Sequence, residues 1–301
     1  TSKDGYFRLY NTSSGSLQLI CKNKISGGKV PTALRFSPDG NKIAVAFSDA
    51  PGLSVLDGRN LAFLYSTDTK GMERGTFSIA WSNDGSALMS AGAIKANGIW
   101  SNIAIRRCSA VMPGTCKDIQ VTQAPLTKTG LIADMVSLPG NRLVYATFVP
   151  GIGLLDGNYM QSFEMLAQTA DLARPKVYLS SDGSKVGFDY DADLRYSHRA
   201  PASFSLRTGT LLMGKDSSLA APVTGNTLLK LPKSRQLAVA NDGNSYLYYD
   251  AYQIRCIDRQ GKKVWGRTTF EQVWAINIST DSRVAVATFN DGTIRWYRYS
   301  D

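Results

Sequence analysis

The chain alternates apolar stretches with short polar turns, and one combination recurs six times: an apolar stretch, a turn rich in Ser, Asn, Asp and Gly, and a second apolar stretch. The turns occupy residues 37–40, 82–85, 138–141, 180–183, 241–243 and 279–282. Ser, Asn and Asp side chains bond the local backbone and Gly adopts a positive φ, so each copy predicts a hairpin. Taken as equivalent, Gly40, Gly85, Gly140, Gly183, Gly243 and Ser282 are 45, 55, 43, 60 and 39 residues apart. This spacing is typical of radial all-β repeats.

A third apolar stretch and a more polar fourth stretch follow most of these hairpins. Third strands are predicted over 53–58, 153–157, 203–207, 254–258 and 294–297, and fourth strands over 61–65, 159–165, 210–213 and 263–266. An innermost propeller strand is packed on both faces, whereas an outermost strand is an edge that polar residues protect from pairing. The gradient therefore predicts an all-β fold, a single β-propeller of four-stranded antiparallel blades with almost no helix.

Both ends of the chain predict incomplete blades. Residues 5–21 resemble the third and fourth strands of a blade, and residues 272–298 resemble the first three strands of another. One composite blade would close a six-bladed ring and leave a spare strand, whereas two incomplete blades make seven. The duplicated third strand favours seven blades in one domain, residues 1–301.

The bulk composition describes a folded protein with a basic surface. Of 301 residues, 43% are apolar and 19% are charged, and no apolar run is long enough for a membrane-spanning helix. Lys and Arg (34) exceed Asp and Glu (24), which attracts phosphates, acidic lipids and acidic proteins. The cations form short scattered clusters (Lys22, Lys24 and Lys29; Arg106 and Arg107; Lys262 and Lys263; Arg295 and Arg298). A solvated basic surface is therefore favoured over nucleic-acid binding.

The four cysteines offer one candidate disulfide. No CxxC spacing occurs, and the chain has one His, so structural zinc is disfavoured. Cys108 and Cys116 flank a predicted hairpin tip, where they either form a bridge or remain free thiols. The sequence leaves two cellular compartments in question. A disulfide bridge would indicate an oxidising compartment, and otherwise the cytoplasm is favoured.

No catalytic, metal or cofactor site is predicted. His198 lies in a predicted loop without a Gly-x-Ser-x-Gly elbow, and Asp189, Asp191 and Asp193 lack the Gly and Glu of a calcium loop. No Gly-rich phosphate loop precedes a helix. Trp81, Trp274 and Trp296 fall at strand positions and are predicted to lie in the core.

One set of loops is predicted to form a binding surface. In a propeller, the loops from fourth to first strands and from second to third strands form the face around the narrower opening. The predicted protein-binding residues on these loops are Lys29, Arg74, Arg174, Phe270 and Gln272. A rim containing Arg and aromatic side chains suits a protein or peptide.

The turns, the spacing and the ending Asp291-Gly292-Thr293-Ile294-Arg295-Trp296-Tyr297 resemble WD40-type propellers. More narrowly, residues 36–47, 273–279 and 291–298 resemble the WD40 region of bacterial proteins in which a caspase-like peptidase domain follows the propeller. The resemblance implies a non-enzymatic sensor or scaffold within a longer protein, with an attached caspase-like domain as one candidate partner. That domain's catalytic His and Cys match no residue here. The Gly-His pair of WD40 repeats is absent, and the Trp-Asp pair is reduced to pairs such as Leu56-Asp57.

Two alternative functions remain. One is a small-ligand-binding or enzymatic propeller that uses its axial channel, although the predicted first strands carry Ala, Ile, Ser and Asn there rather than carboxylates or His. The other is a basic surface that binds nucleic acid.

Overall fold

The computed structural model describes residues 5–11, 17–24, 27–96, 99–101, 104–120, 132–147, 151–158, 161–166, 176–179, 185–189, 191–192, 198–199, 202–205, 211–213, 236–239, 245–250, 252–258, 262–279 and 281–299. Within these ranges the chain forms 28 strands and no helix. The chain divides into two compact units. Unit 1 is Thr1–Leu9 with Leu19–Val177, and unit 2 is Tyr10–Gln18 with Tyr178–Asp301.

The strands form successive antiparallel sheets. A two-stranded sheet comprises β1 (Tyr6–Asn11) and β2 (Gln18–Lys24). The next sheet comprises β3 (Pro31–Phe36), β4 (Lys42–Phe47), β5 (Leu53–Asp57) and β6 (Phe63–Ser66). It is followed by β7 (Met72–Trp81), β8 (Ala87–Ala96), β10 (Ala104–Ser109) and β11 (Cys116–Gln120), with β9 (Ile99–Ser101) paired to β8. A further sheet comprises β12 (Ile132–Leu138), β13 (Arg142–Thr147), β14 (Gly151–Leu155) and β15 (Gln161–Leu166).

The later sheets repeat this order. One comprises β16 (Lys176–Leu179), β17 (Lys185–Asp189), β20 (Ala202–Ser205) and β21 (Leu211–Met213), with a separate hairpin of β18 (Asp191–Ala192) and β19 (His198–Arg199). The next comprises β22 (Gln236–Val239), β23 (Ser245–Asp250), β24 (Gln253–Asp258) and β25 (Lys263–Thr268). The last comprises β26 (Val273–Ile278), β27 (Val284–Phe289) and β28 (Ile294–Arg298). The predicted all-β class and four-stranded antiparallel sheets are confirmed, with two and three strands in the sheets nearest the ends.

The predicted turns at 37–40, 82–85, 138–141 and 279–282 join the first and second strands of their sheets, whereas the predicted turns at 180–183 and 241–243 lie outside the described residues. Gly40, Gly85 and Gly140 have φ of 72°, 70° and 75°, which glycine adopts without a steric cost. Ser282 has φ 54° at the corresponding position of the last sheet. The backbone therefore repeats the same turn geometry even where the sequence has no glycine.

The core of unit 1 lies between successive sheets. Ala44 and Val55 of one sheet pack with Trp81 and Leu88 of the next, and Trp81 Nε1 donates a 3.1 Å hydrogen bond to the Arg35 carbonyl. A second cluster joins β7, β8 and β10 to β12–β14, with Tyr145 fully buried. Where a sheet lies between two others in this way, its inner strands need apolar residues at consecutive positions, as in β4.

Unit 2 has a core of the same kind. Leu247, Cys256 and Trp265 of the β22–β25 sheet pack with Val273 and Phe289 of the β26–β28 sheet. Trp265 Nε1 donates a 2.8 Å hydrogen bond to the Tyr299 carbonyl, so the buried indole is satisfied.

One predicted core residue is exposed. The side chain of Trp274 is 58% exposed, whereas Trp81 is buried and Trp296 is half-buried. The pairing of β26 with β27 shifts in register between Val273 and Ala275, so Trp274 is the extra residue of a β-bulge. A bulge redirects the side chain it carries, and the prediction for Trp274 was wrong for that reason.

Candidate recognition surface

Three loops of unit 2 meet at one end of its last two sheets. The β23–β24 turn carries Tyr252, and the Thr269 N–H of the β25–β26 loop donates a 2.7 Å hydrogen bond to the Tyr252 carbonyl. The Asn290 N–H of the β27–β28 loop donates a 2.9 Å hydrogen bond to the Gln272 carbonyl. These are the two classes of loop, second-to-third and fourth-to-first, in which the sequence predicts a binding surface.

These loops and the adjoining start of β26 expose large side chains. Phe270 is 90% exposed, Tyr252 is 62% exposed and Trp274 is 58% exposed. Gln272, which lies between Phe270 and Trp274 in the sequence, is also exposed. We call these four residues, Tyr252, Phe270, Gln272 and Trp274, the aromatic loop surface. Isolated exposed apolar residues are common, whereas these three aromatic side chains lie at the same end of two successive sheets.

Local hydrogen bonds fix the backbone of the β25–β26 loop. The Thr269 hydroxyl donates to the Glu271 carbonyl (3.1 Å) and accepts from the Glu271 N–H (3.2 Å), which closes a turn around Phe270. Tyr252 has φ 73°, and its carbonyl is the acceptor for Thr269. The loop backbone is therefore fixed, while the Phe270 ring points into solvent.

A charged pair borders the aromatic loop surface. Arg295 Nη2 lies 3.6 Å from Asp291 Oδ2, and the Arg295 guanidinium lies 4.2 Å from the Phe289 ring centroid. The Thr293 hydroxyl and N–H, which donate to Asp291, lower the pKa of that carboxyl. Asp291 therefore remains ionised, and the rim combines one anion with one cation.

The other predicted binding residues, Lys29, Arg74 and Arg174, belong to unit 1. Lys29 lies at the surface of unit 1, where its N–H and that of Val30 donate to Asp49 at 2.8 and 2.9 Å and lower the pKa of Asp49. Arg74 is a residue of β7 whose side chain is outside the described part of the structure, and Arg174 lies outside the described residues altogether. For these three residues, protein binding stays a prediction.

Sequence reasoning missed Tyr252 and misassigned Trp274. Tyr252 follows Tyr248 and Tyr249, which are buried, so composition alone does not separate it from them. A signal was present in its position two residues after Asp250, between two strands, where a hairpin tip is expected.

The structure joins Cys108 and Cys116 by a disulfide bond. The two residues lie directly opposite each other on β10 and β11, with their Cα atoms 4.1 Å apart. The bridge closes a hairpin tip in which Val111 and Met112 are 78% and 62% exposed. Cys21 and Cys256 are free thiols, and burial raises the pKa of Cys256.

Candidate chemistry is sparse in the part of the chain that the structure describes. No group of three or more His, Cys, Asp or Glu side chains there could hold a metal ion. His198 belongs to β19 and Asp191 to β18, and their side chains are not described; Asp193 lies outside the described ranges. Among the same residues, none forms a helix of the length and hydropathy that crossing a membrane requires.

Comparisons with known proteins indicate the fold. No protein-family model matches the sequence, and no curated protein matches it. Among solved structures, hydrazine synthase of Kuenenia stuttgartiensis is similar, with a TM-score of 0.59 over 92% of this chain and 99% of that chain, at 12% sequence identity. At this identity the likeness concerns the fold alone, and it supports the assignment of these antiparallel sheets to the β-propeller class.

Proposed function

We propose that this chain is a non-enzymatic recognition module that binds a protein or peptide through the aromatic loop surface. The observation that carries the proposal is the exposure of Tyr252 and Phe270, on loops whose backbones are fixed by hydrogen bonds, and of Trp274 at the start of β26. Aromatic side chains dominate the energetics of protein interfaces because they bury a large area at a small cost in rotamer entropy.

Burial of Phe270 and the ordered backbone of its loop both favour binding of a partner at this surface. Burying a Phe side chain is worth about 1.5–3 kcal/mol relative to leaving it in water, and Phe270 gains none of this within the chain. The loop is already ordered, so binding does not have to fix its backbone. The polar rim of Gln272, Asp291 and Arg295 supplies hydrogen-bonding groups around the apolar centre.

The resemblance to WD40 regions of bacterial proteins with caspase-like domains supports a regulatory role. In that arrangement the module would sense or scaffold, and an attached caspase-like domain or the protein that activates it would occupy the aromatic loop surface. The partner in this proposal is a protein segment that supplies an apolar pocket for Phe270.

Photo-crosslinking from position 270 tests the proposal. The full chain carrying p-benzoylphenylalanine in place of Phe270 is irradiated in cells and compared with the same residue introduced in place of Phe63, which is 53% exposed on β6 of unit 1. We expect a discrete protein adduct from position 270 that is absent from position 63. Adducts of identical size from both positions, or no adduct from position 270, would contradict the proposal.

Paired substitutions give a second readout. F270A/W274A should abolish capture of the crosslinked partner, whereas F63A/L64A removes two exposed apolar side chains of unit 1 (53% and 44% exposed) and should leave capture unchanged. Circular dichroism of both variants verifies that the sheets are intact. Equal capture by the two variants would exclude this surface.

A further inference from the structure

The sheet of β1 and β2 has one face against the core and one face outward. Phe7 and Leu9 pack in the cluster formed with β4 and β5, and Cys21 packs there too. Asn23 Nδ2 donates a 3.3 Å hydrogen bond to the Leu61 carbonyl on the same side. Because side chains alternate along a strand, the neighbouring residues lie on the opposite face. We call that set the outer face: Tyr6, Arg8, Ile20, Lys22 and Lys24.

Two cations on the outer face share one aromatic ring. Lys22 Nζ lies 4.1 Å from the Tyr6 ring centroid, and Arg8 Cζ lies 5.9 Å from it. These cation–π contacts show that β1 and β2 present their positive side chains side by side. Lys22 and Lys24 are exposed, and Ile20 next to them is 54% exposed.

The charged residues of the β1–β2 sheet are of one sign. Between Tyr6 and Lys24 the sequence contains Arg8, Lys22 and Lys24 and no Asp or Glu. Like charges on adjacent strands repel each other, and an anionic ligand removes that cost. Electrostatic complementarity therefore selects a negatively charged occupant.

The spacing of Ile20, Lys22 and Lys24 on β2 favours an acidic peptide as the anionic ligand. Ile20, Lys22 and Lys24 follow one another at two-residue intervals, roughly 7 Å apart along the strand. An extended peptide with side chains at the same interval can set two carboxylates against the lysines and an apolar side chain against Ile20. A nucleic acid would gain less, because Lys22 and Arg8 already contact the Tyr6 ring on which a base would stack.

We propose that the outer face of the β1–β2 sheet binds an acidic protein segment. In this segment two carboxylate residues and one apolar residue follow one another at two-residue intervals. This site lies on unit 1 and does not include any residue of the aromatic loop surface. It therefore adds a second, electrostatic contact to the recognition function proposed above and does not depend on it.

Fluorescence anisotropy with the full chain tests the proposal. The probes are fluorescein-labelled peptides Ser-Glu-Ser-Glu-Ser-Leu-Ser and Ser-Glu-Ser-Glu-Ser-Ser-Ser, and a labelled fifteen-residue oligothymidylate of matched concentration. We expect the leucine peptide to bind about five-fold more tightly than the serine peptide, because Ile20 gains apolar contact. Affinity should fall as salt is raised, since both lysines are exposed.

Charge reversal with a matched control distinguishes binding at the outer face from attraction by the net charge of the protein. K22E/K24E should weaken binding of the leucine peptide at least about ten-fold. K262E/K263E makes the same change in net charge at two exposed adjacent lysines of unit 2 and should have little effect. I20S should remove the preference for the leucine peptide and keep the salt dependence.

Three results would overturn the proposal. The first is an equal loss of affinity in K22E/K24E and K262E/K263E, which would make binding a property of the net charge. The second is tighter binding of the oligothymidylate than of either peptide, which would make the outer face a nucleic-acid surface. The third is the absence of peptide binding at low salt. None of these results bears on crosslinking from position 270, so the two proposals can fail separately.

Discussion

Ser82 Oγ donates a 2.6 Å hydrogen bond to Asp84 Oδ1 and accepts a 2.8 Å hydrogen bond from the Ala87 N–H. One hydroxyl thus links the two strands that the turn connects. The same relationship recurs in two other turns: Ser37 with Asp39 and Lys42, and Ser279 with Asp281 and Val284, with each Ser–Asp bond 2.6 Å long. The repeated sequence pattern is therefore a repeated hydrogen-bond arrangement.

These turns make stability depend on pH at the acid end. Hydrogen bonds from the Ser37 hydroxyl and the Asn41 N–H lower the pKa of Asp39 to about 2, and bonds of the same kind lower the pKa of Asp84 and Asp281. A carboxyl whose pKa is depressed by folding stabilises the protein above its unfolded pKa, which is 3.8 here, and this stabilisation is lost as pH falls through the folded pKa. We expect the free energy of unfolding to fall between about pH 4 and pH 2.

Urea unfolding followed by circular dichroism at intervals of pH measures this dependence. D39N/D84N/D281N removes the three carboxyls and should flatten the decrease below pH 4, because these groups no longer take up protons on unfolding. Identical slopes in the parent protein and the triple variant would show that other carboxyls control acid unfolding.

Arg106 connects three segments of unit 1 from a buried position. Its Nε and Nη2 donate to the Asp118 carboxylate at 2.7 and 2.9 Å, and Nη1 and Nη2 donate to the carbonyls of Asp68 and Lys70 at 3.0 and 2.7 Å. R106M removes all four bonds and should lower the free energy of unfolding by about 2 kcal/mol, which is less than the cost for a fully buried pair because Asp118 is partly exposed. Chemical denaturation measures the change.

An exposed ion pair provides the control for Arg106. Arg283 lies 3.8 Å from Asp281 with both side chains well exposed, so R283M should change stability little. R106K retains the charge but cannot reproduce the forked geometry, and it should be nearly as destabilising as R106M. If R106K matched the parent protein, charge alone would account for the role of Arg106.

Gly153 makes room for the buried ring of Tyr145. The two residues are cross-strand partners on β13 and β14, and a Cβ at Gly153 would overlap the Tyr145 Cζ and Oη atoms. G153A should therefore displace the ring and cost about 2 kcal/mol of stability. G266A provides a strand control, since its Cβ would meet chiefly the movable end of Lys263.

A double-mutant cycle tests the pairing directly. In a Y145L background the ring is gone, so G153A should cost less than it does alone, and thermal unfolding gives both differences. Additive costs would mean that G153A acts through the backbone and not through Tyr145.

The fold was largely predictable because its information is local. Turns such as 37–40 and 82–85 have side chains that bond their own backbone, so they specify hairpins without reference to distant residues. Some strand boundaries depend on more than the pattern of apolar and polar residues. The predicted fourth strand from Leu61 begins at Phe63, because Asp57 Oδ1 accepts from the N–H groups of Arg59 and Asn60 and holds a turn that buries Leu61.

The candidate surface was less predictable because it depends on register. Phe270 and Gln272 lie in a loop between strands, and a loop is visible in the sequence. Trp274 is exposed only because the β26–β27 pairing shifts by one residue, and no composition rule reports such a shift. The outer face of the β1–β2 sheet depends on Phe7 and Cys21 being inward, which fixes the direction of every neighbouring side chain.

The disulfide between Cys108 and Cys116 should make stability sensitive to reductant. The bond spans 8 positions, and closing a loop of that size in the unfolded chain is worth about 2 kcal/mol of stability. C108S/C116S should therefore unfold at lower urea concentration than the oxidised parent and should not respond to reductant. Thiol titration of the unfolded, unreduced parent should count two thiols, from Cys21 and Cys256. Four thiols, with equal stability before and after reduction, would mean that the bridge does not form, and the tip carrying Val111 and Met112 would then be held by its hydrogen bonds alone.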